Sequence, residues 1–302
     1  LLFTDTLIED KGLYVLLLHA FQKFYEVDLT SDLKMVEKLV EVYEDEDLRY
    51  RQLEEIAHSV TSKIPNVHWL HYKHMGEYLS PWALFNKRQF IGNSRVAPCS
   101  ELIKQRMARE YVKRTWAKEE LAVYFGIDWS EDHRVAAPTK NWSVHASSVN
   151  FPLIQPPYNG YPQRIQMLKD DGIPLPPLYE LGFPHNNCGG FCVRGGQGHF
   201  KMLLEHLPNI FEYHKEQEAK LSQELYERSG EKYSILTRTV KGVKEPLPLG
   251  KLQAMVEGDE YVDPLDVGGC GCFVTEEEEQ LEDVAVFSFK DLIIYKGKEV
   301  VC

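Results

Sequence analysis

The sequence has little that would suit a membrane protein, a secreted disulfide scaffold or a nucleic-acid coat. No apolar run approaches the ~18–20 residues that span a bilayer, since the stretch LYVLLLHAF is short and carries a histidine. Six cysteines in 302 residues are too few for a dense secreted disulfide framework. The net charge of −12 argues against a broad basic face for nucleic acid. It does not argue against a local basic pocket for a nucleotide or an RNA end.

Because no apolar segment is long enough to cross a bilayer, we expect a protein that does not contact a membrane. Few cysteines and no visible secretory signal lead us to expect the reducing cytoplasm. The chain opens on LLFTDTLIED, an apolar and strand-like segment. A natural domain seldom starts inside a core strand. We therefore expect a fragment whose first strand and loop lie upstream of Leu1.

The rest of the composition is that of an ordinary globular protein, with 43% hydrophobic and 26% charged residues. At this length two cores are the safer expectation. In residues 1–150, strand-like segments alternate with amphipathic helical ones, which predicts an α/β domain with a mostly parallel sheet. From residue 151 the chain is rich in proline and aromatic residues, then helical and loop-rich. We predict a second, C-terminal lobe over 151–302 that contains most of the cysteines.

Two close cysteine pairs are the strongest chemical signal. Cys188 and Cys192 are four residues apart, Cys270 and Cys272 are two apart, and glycines beside each pair let the backbone fold tightly. Four thiolates suit tetrahedral Zn²⁺ or a [4Fe–4S] cluster, and the spacing alone does not choose between them. Buried structural cysteines, or a redox dithiol of Cys188 and Cys192, are the alternatives.

A shared site makes a geometric demand on the fold. The two cysteine loops must then meet, although about eighty residues separate them in the chain. We expect the sulfur atoms roughly 3.5–4 Å apart around zinc, or roughly 6–7 Å apart around a cluster.

A helix start supplies the second signal, in the stretch IGNSRVAPCSELIK. Asn93, Arg95 and Ser100 precede or open a predicted helix, where free N–H groups and the dipole favour an anion. Ser100 is the predicted N-cap, and Lys104 adds positive charge inside the helix. A phosphate site fits this pattern, and so does a well-capped helix with a solvated basic face. Cys99, in the same stretch, is equally compatible with a place in the core.

Polar residues that follow predicted strands give the third signal. Asp128, His133 and Arg134 come just after the strand LAVYFGI, and a histidine beside carboxylates can act as an acid or base. A turn that caps a helix is the competing account. The same position after the first strand marks residues 4–6 as ligand contacts, because ligands of open α/β sheets bind beyond the carboxyl ends of strands. GGQGHF lacks the Lys-Ser/Thr ending of a phosphate-cradling loop.

Taken in order, these segments resemble a known family. LLFTDTLIED, PWALFNKRQFIGNSRVAPCSELIK, YFGIDWSEDHR and PPLYELGFPHNNCGGFCVRGGQGHF, with GGCGCF, resemble the phosphoadenosine-phosphosulfate-reductase-like proteins of bacteria and phages. That family belongs to the PP-loop ATP pyrophosphatases, also called adenine nucleotide alpha hydrolases. The resemblance covers most of the chain up to about residue 205 and returns near Gly268. It is specific for the family and much less so for the reaction.

The resemblance implies a Rossmann-like (HUP-type) parallel sheet flanked by helices, with ATP or a sulfated adenine nucleotide over the strand ends. The family's phosphate loop, of the S-G-G-K-D-S type, is expected immediately before Leu1. By resemblance, Thr4, Asp5 and Thr6 lie where a strand meets the adenosine, and Gly126 lies where a later strand closes over the nucleotide. Relatives that thiolate tRNA or install DNA phosphorothioate hold iron–sulfur clusters by cysteines, which favours a cluster at the four cysteines here.

The implied activity is that of an ATP-using enzyme that splits ATP between the α and β phosphates, with Mg²⁺ on the pyrophosphate. It would adenylate a nucleobase, a nucleic acid or a small molecule, with sulfur transfer as one outcome. A sulfonucleotide reductase is an alternative, and it needs a mobile nucleophilic cysteine outside the metal site, for which Cys99 and Cys302 are left. A non-catalytic nucleotide-binding protein with a structural metal is the third reading.

Overall fold

The structure is a computed structural model that describes residues 1–74, 76–268, 292–296 and 299–301. Its α-helices are α1 (Lys11–Tyr25), α2 (Thr30–Glu37), α3 (Glu46–Lys63), α4 (Pro81–Arg88), α5 (Met107–Thr115), α6 (Ala136–Trp142), α7 (Tyr161–Asp170), α8 (Pro177–Glu180), α9 (Gln197–His206), α10 (Pro208–Ser229) and α11 (Leu249–Glu257). Its strands are β1 (Leu2–Thr4), β2 (His68–His74), β3 (Glu77–Tyr78), β4 (Ala122–Tyr124), β5 (Ser148–Asn150), β6 (Leu236–Val240), β7 (Val243–Leu247), β8 (Leu292–Lys296) and β9 (Glu299–Val301).

The strands form small sheets of mixed direction. In the largest, the order is β1-β2-β8-β9, with β1 and β2 parallel and the pairs β2–β8 and β8–β9 antiparallel, while β3 pairs with β2. A second sheet is the parallel pair β4–β5, and β6–β7 is an antiparallel hairpin. The predicted mixture of helices and strands is therefore confirmed, and the protein is a mixed α/β protein. The two parallel pairs among the described strands lie in separate sheets.

The first helix shows how local sequence fixes an element boundary. Helix α1 begins at Lys11, because the Asp10 side chain accepts a hydrogen bond from Gly12 N at 2.7 Å and caps the helix. Tyr14 and Leu18 lie on its buried face. The charged segment 30–63 divides into α2 and α3, with Asp45 capping the second helix.

The apolar interior falls into two main groups. One lies between α1, α2, α3 and the β1–β2 pair and includes Leu18, Ile56 and Trp69. The larger one draws on residues from both sides of position 150, such as Trp82 and Phe211, which share it with Cys99 and Cys188. The cysteine loop is thus packed into the same interior as the first half of the chain. In the part of the chain that the structure describes, none of the helices combines the length and apolarity that a membrane crossing needs.

Candidate functional site

The loop after β1 is held by buried polar contacts. Asp5 is 2% exposed and accepts hydrogen bonds from Leu7 N (2.7 Å), the Tyr14 hydroxyl (2.8 Å) and Trp69 Nε1 (3.0 Å). Burial raises the pKa of Asp5, and the hydrogen bonds from Leu7 N and the Tyr14 hydroxyl oppose the rise. Thr6 is fully buried and its hydroxyl donates to Glu9 Oε1 at 2.9 Å. The side chains of Asp5 and Thr6 therefore serve the interior of the protein in this structure.

A cleft of about 730 Å³ lies between β1 and β4. Thr4, Lys104 and Gly126 all line it, so three of the predicted nucleotide contacts, from three separate segments, share one space. Apolar and aromatic groups make most of the remaining wall, with Trp116 and Trp142 among them. A cleft with one cation and several aromatic rings suits a flat, negatively charged ligand.

Lys104 reaches that cleft as one half of a buried ion pair. Its Nζ lies 3.1 Å from Glu9 Oε1, and the Lys104 and Glu9 side chains are only 13% and 2% exposed. The buried Arg49 donates to the Glu9 backbone carbonyl at 2.6 Å and to the Leu7 carbonyl at 3.2 Å. The carboxylate and two cations thus fix the loop that follows β1. Sequence reasoning missed Glu9 and Arg49, because Glu9 lies five residues after β1 and Arg49 lies within α3, so neither position indicated a role at the site.

The cysteine loop docks on the same carboxylate. Cys188 N donates to Glu9 Oε2, and three successive residues have left-handed backbone, with φ of 55° at Cys188, 60° at Gly189 and 85° at Gly190. Gly189 is required by space as well as by φ, because a Cβ there would stand 2.5 Å from the Ile8 carbonyl oxygen. The loop therefore follows the backbone of the β1 loop closely.

Three thiols border one small cavity of about 20 Å³. They are those of Cys99, Cys188 and Cys192, which are all buried, and the basic residues Lys104 and Arg194 line the same cavity. Burial raises the pKa of the Cys188 thiol well above its usual value. The charge of Lys104 lowers it, while Glu9 and the other two thiols raise it further. Cys188 is thus within electrostatic reach of both Cys99 and Cys192.

The segment 263–268 approaches this loop from the far end of the chain. Asp266 accepts from Gln197 N with its side chain (2.9 Å) and from Gly198 N with its carbonyl (2.9 Å), and so occupies the start of α9. Gly268 has a φ of 69°, and a Cβ there would stand 2.2 Å from the Arg194 carbonyl oxygen. The glycines of GGQGHF allow this close docking. Gly268, which precedes Cys270 by two residues in the chain, thus packs against Arg194, which follows Cys192 by two residues.

The four-cysteine prediction is only half inside the described part of the chain. Cys188 and Cys192 are described, whereas Cys270 and Cys272 lie outside it, as does Cys302. Within the described residues, no group of three or more His, Cys, Asp or Glu side chains is arranged to hold a metal ion. The choice between zinc and a cluster, and the distances expected for each, stay predictions. Cys99, Cys188 and Cys192 line one cavity, and thiolates are the ligands that thiophilic metals prefer.

The predicted anion site at the helix start is only partly assembled. The helix begins at Cys99 with a π-helical turn (Cys99–Arg106) and has no side-chain cap, so the prediction of Ser100 as the N-cap is wrong. Ser100 is buried and accepts from Gln105 Nε2 at 3.3 Å. Asn93 accepts from Arg95 N and Val96 N, which closes a local turn, and Arg95 is exposed. Of this group, Lys104 is the residue that reaches the cleft.

The residues after β4 form a separate polar cluster. Asp128 accepts from the backbone and hydroxyl of Ser130 and pairs with Arg164, and Arg134 pairs with Glu131. Burial works to raise the pKa of Asp128, but the Ser130 hydrogen bonds and the Arg164 charge outweigh it and hold the pKa below its usual value. A carboxylate so well supplied with donors accepts a proton poorly. His133 is exposed beside it.

Comparison with protein-family models, curated proteins and solved structures found no match for this chain. Its function is therefore argued from the cleft between β1 and β4 and from the adjoining thiol cavity. Both are lined by Lys104, which connects the predicted nucleotide contacts to the cysteine loop.

Proposed function

We propose that this chain is the adenine-nucleotide-binding part of an ATP-using adenylyl-transfer enzyme of the PP-loop class, with a Rossmann-like arrangement of its parallel strands. The observation that carries the proposal is the convergence of Thr4, Lys104 and Gly126 on one cleft of about 730 Å³. These residues come from the end of β1, a helix and the segment after β4. Such a position beyond strand ends is where α/β proteins bind nucleotides.

The residues of the cleft have separable roles in this proposal. The apolar and aromatic wall, including Trp116 and Trp142, provides a surface for the adenine ring. The Lys104 ammonium supplies positive charge for a phosphate, in an environment where burial strengthens the interaction. The pyrophosphate would bring its own Mg²⁺, to which we assign no protein ligand. ATP would be cleaved between its α and β phosphates, with AMP transferred to an acceptor that is a nucleobase, a nucleic acid or a small molecule.

The thiol loop belongs to the same proposal as a metal site. Cys188 and Cys192 would hold a thiophilic metal with Cys270 and Cys272, either to fix the C-terminal half or to carry sulfur. The docking of Gly268 against Arg194 supports this, since it brings the chain close to Cys192 just before Cys270. In either case the metal would supply positive charge to the thiolates and would restrain the loops that carry them.

Equilibrium binding of ATP tests the nucleotide site. We expect saturable binding of ATP by the intact chain, and about ten- to hundredfold weaker binding by Lys104→Met, because one charge-assisted contact is worth about 1.5–3 kcal/mol. Removal of Lys104 alone leaves the Glu9 carboxylate buried without its cation, so the double variant Glu9→Gln/Lys104→Met is measured beside it.

The matched control is Lys201→Met, which removes a lysine of α9 that pairs with Glu205 and lines neither cavity. It should bind ATP like the unsubstituted chain. Absence of saturable binding of either ATP or AMP to the folded chain would contradict the proposal. So would equal affinity of the Lys104 and Lys201 variants.

A further inference from the structure

We propose that the pocket between α1 and the helices α7 and α8 is a further ligand site of this chain, and that it takes a flat, uncharged heteroaromatic ligand of nucleobase size. The pocket has a volume of about 570 Å³, within the roughly 300–1,000 Å³ of small-molecule sites. Among the described residues, it shares no lining residue with the cleft between β1 and β4. The inference therefore goes beyond the proposed function and does not depend on it.

Helix α7 presents its apolar face to the pocket. Tyr161, Ile165 and Leu168 recur at helical spacing and all three line the pocket. None of the ten residues of α7 is buried, and Tyr161 and Met167 remain 50% and 55% exposed. An apolar helix face that the described part of the chain leaves uncovered is a surface that a ligand can cover with a gain from burial.

Contacts at both ends of α1 connect the two sides of the pocket. Near the start of α1, Gly12 lies so close to α8 that an added Cβ would overlap the Pro177 ring. Near its end, Lys23 Nζ lies 3.1 Å from the carboxylate of Asp171, the residue that follows α7. Leu16, between these two contacts, lines the pocket. The walls are thus positioned by the fold itself, which reduces the ordering cost of binding a ligand.

Two tyrosines on the wall suit a flat ring. The ring centroids of Tyr161 and Tyr179 are 5.9 Å apart and their planes are inclined by 56°, so the two rings do not stack on each other. The half-exposed Tyr161 therefore keeps ring surface for a ligand. Every base can stack on such a ring, because every base has a π-face.

The charged groups on the wall are already paired. Arg164 and Asp171 line the pocket. Arg164 pairs with Asp128, and Asp171 pairs with Lys23. A charged ligand would lose hydration in the pocket without meeting an unpaired counter-charge among the described lining residues, which is costly. The pocket therefore favours an uncharged ligand.

Side-chain amides supply hydrogen bonds for the edge of a ring. Asn159 and Gln155 both line the pocket. Asn159 Nδ2 donates to the Met167 sulfur at 3.8 Å, and a thioether is a weak acceptor. A ring nitrogen or carbonyl oxygen would accept from this amide more strongly, and the amide oxygen can accept from a ligand N–H. A heteroaromatic ring therefore fits better than a plain hydrocarbon.

Equilibrium binding of free bases to the full chain tests this site. The probes are uracil and hypoxanthine, which are uncharged at pH 7, and orotate, which is uracil with an added carboxylate. Each is titrated with and without excess ATP. We expect saturable binding of both uncharged bases, unaffected by ATP, and at least about tenfold weaker binding of orotate than of uracil.

A pair of tyrosine variants connects binding to the pocket. Tyr161→Ala should weaken binding of the uncharged bases at least about fivefold, because it removes a stacking surface. Tyr158→Ala is the matched control and should bind like the unsubstituted chain, because Tyr158 is 60% exposed and does not line the pocket. Both side chains are at least half exposed, so neither substitution should disturb the fold, which far-UV circular dichroism checks.

Several outcomes would overturn the inference. They are absence of base binding, equal affinity of the Tyr161 and Tyr158 variants, and tighter binding of orotate than of uracil. Competition between the bases and ATP would also overturn it, because it would place both in one cleft. Self-association of the chain that Tyr161→Ala abolishes would assign the face to a second copy instead. The Lys104 dependence of ATP binding is measured separately, so the proposed function and this inference can fail independently.

Discussion

Glu218 gives the sharpest pH prediction. Its side chain on α10 is 1% exposed and accepts hydrogen bonds from Ile235 N at 2.8 Å and Leu249 N at 2.6 Å. The carboxyl group therefore fastens both the start of the β6–β7 hairpin and the first residue of α11 to α10. Burial raises the pKa of Glu218 to about 7, against the lowering effect of its two backbone donors.

The magnitude follows from the two pKa values. In the unfolded chain the group titrates near its ordinary 4.5, so the folded state binds more protons than the unfolded state between that value and about 7. The stabilising contribution is thus fully present below the unfolded pKa and is lost as the pH rises through the folded pKa. A separation of about 2.5 pKa units corresponds to about 3 kcal/mol.

The assay is urea unfolding at a series of pH values from 4.5 to 8. Glu218→Gln removes the titration, so the free energy of unfolding of the unsubstituted chain should fall by about 3 kcal/mol relative to the variant over that range. A constant offset from the amide, which presents one donor where the carboxylate accepts, does not alter this slope. Glu224→Gln, at an exposed position of the same helix, is the control and should follow the unsubstituted chain. Parallel pH profiles for the unsubstituted chain and Glu218→Gln would refute the reasoning.

Two paired glycine substitutions test the docking of the loops. Gly189→Ala should lower the free energy of unfolding by more than Gly172→Ala. Both sites have positive φ, but only at Gly189 would the added Cβ stand 2.5 Å from a backbone oxygen. Equal losses of stability in urea unfolding would show that no close approach exists. Gly198→Ala should destabilise the chain and speed proteolysis after residue 258, because its Cβ would stand 2.7 Å from the Asp263 carbonyl oxygen. The matched control Gly250→Ala lies in α11 with no atom closer than 3.8 Å to the added Cβ. It should stabilise the chain by up to about 1 kcal/mol. A gain in stability from Gly198→Ala would contradict the docked arrangement.

Local patterns carried much of the secondary structure. The strand-like segments at the start of the chain and at 121–127 contain β1 and β4, and the predicted helical part of the C-terminal lobe contains α9 and α10. These predictions succeeded because alternation and helical spacing are properties of neighbouring residues. Sheet direction depends on strands far apart in the chain, so the antiparallel pairing of β8 with β2 was not accessible from the same patterns.

In the candidate site, too, local sequence predicted some features and tertiary contacts decided the others. Residue type and position after a strand indicated Thr4, Asp5 and Thr6 alike, yet only Thr4 lines the cleft while the other two satisfy buried donors and acceptors. Which side chain faces a ligand is decided by tertiary partners such as Tyr14 and Trp69. Similarly, nothing local relates Cys99 to a loop almost ninety residues later.

The position of Lys104 means that the two cavities draw on a single ammonium group. It lines the cleft between β1 and β4, borders the thiol cavity, and is bound by the same Glu9 carboxylate that receives Cys188 N. An anionic ligand in the cleft and a thiolate in the cavity would therefore both be attracted to the Lys104 charge, and Arg194 is a second basic residue on the cavity side alone. Because linkage between binding free energies is reciprocal, whatever engages Lys104 on one side reduces affinity on the other by the same factor. Under the proposed function, nucleotide occupancy of the cleft and thiol ionisation in the cavity would therefore oppose each other through the Lys104 side chain.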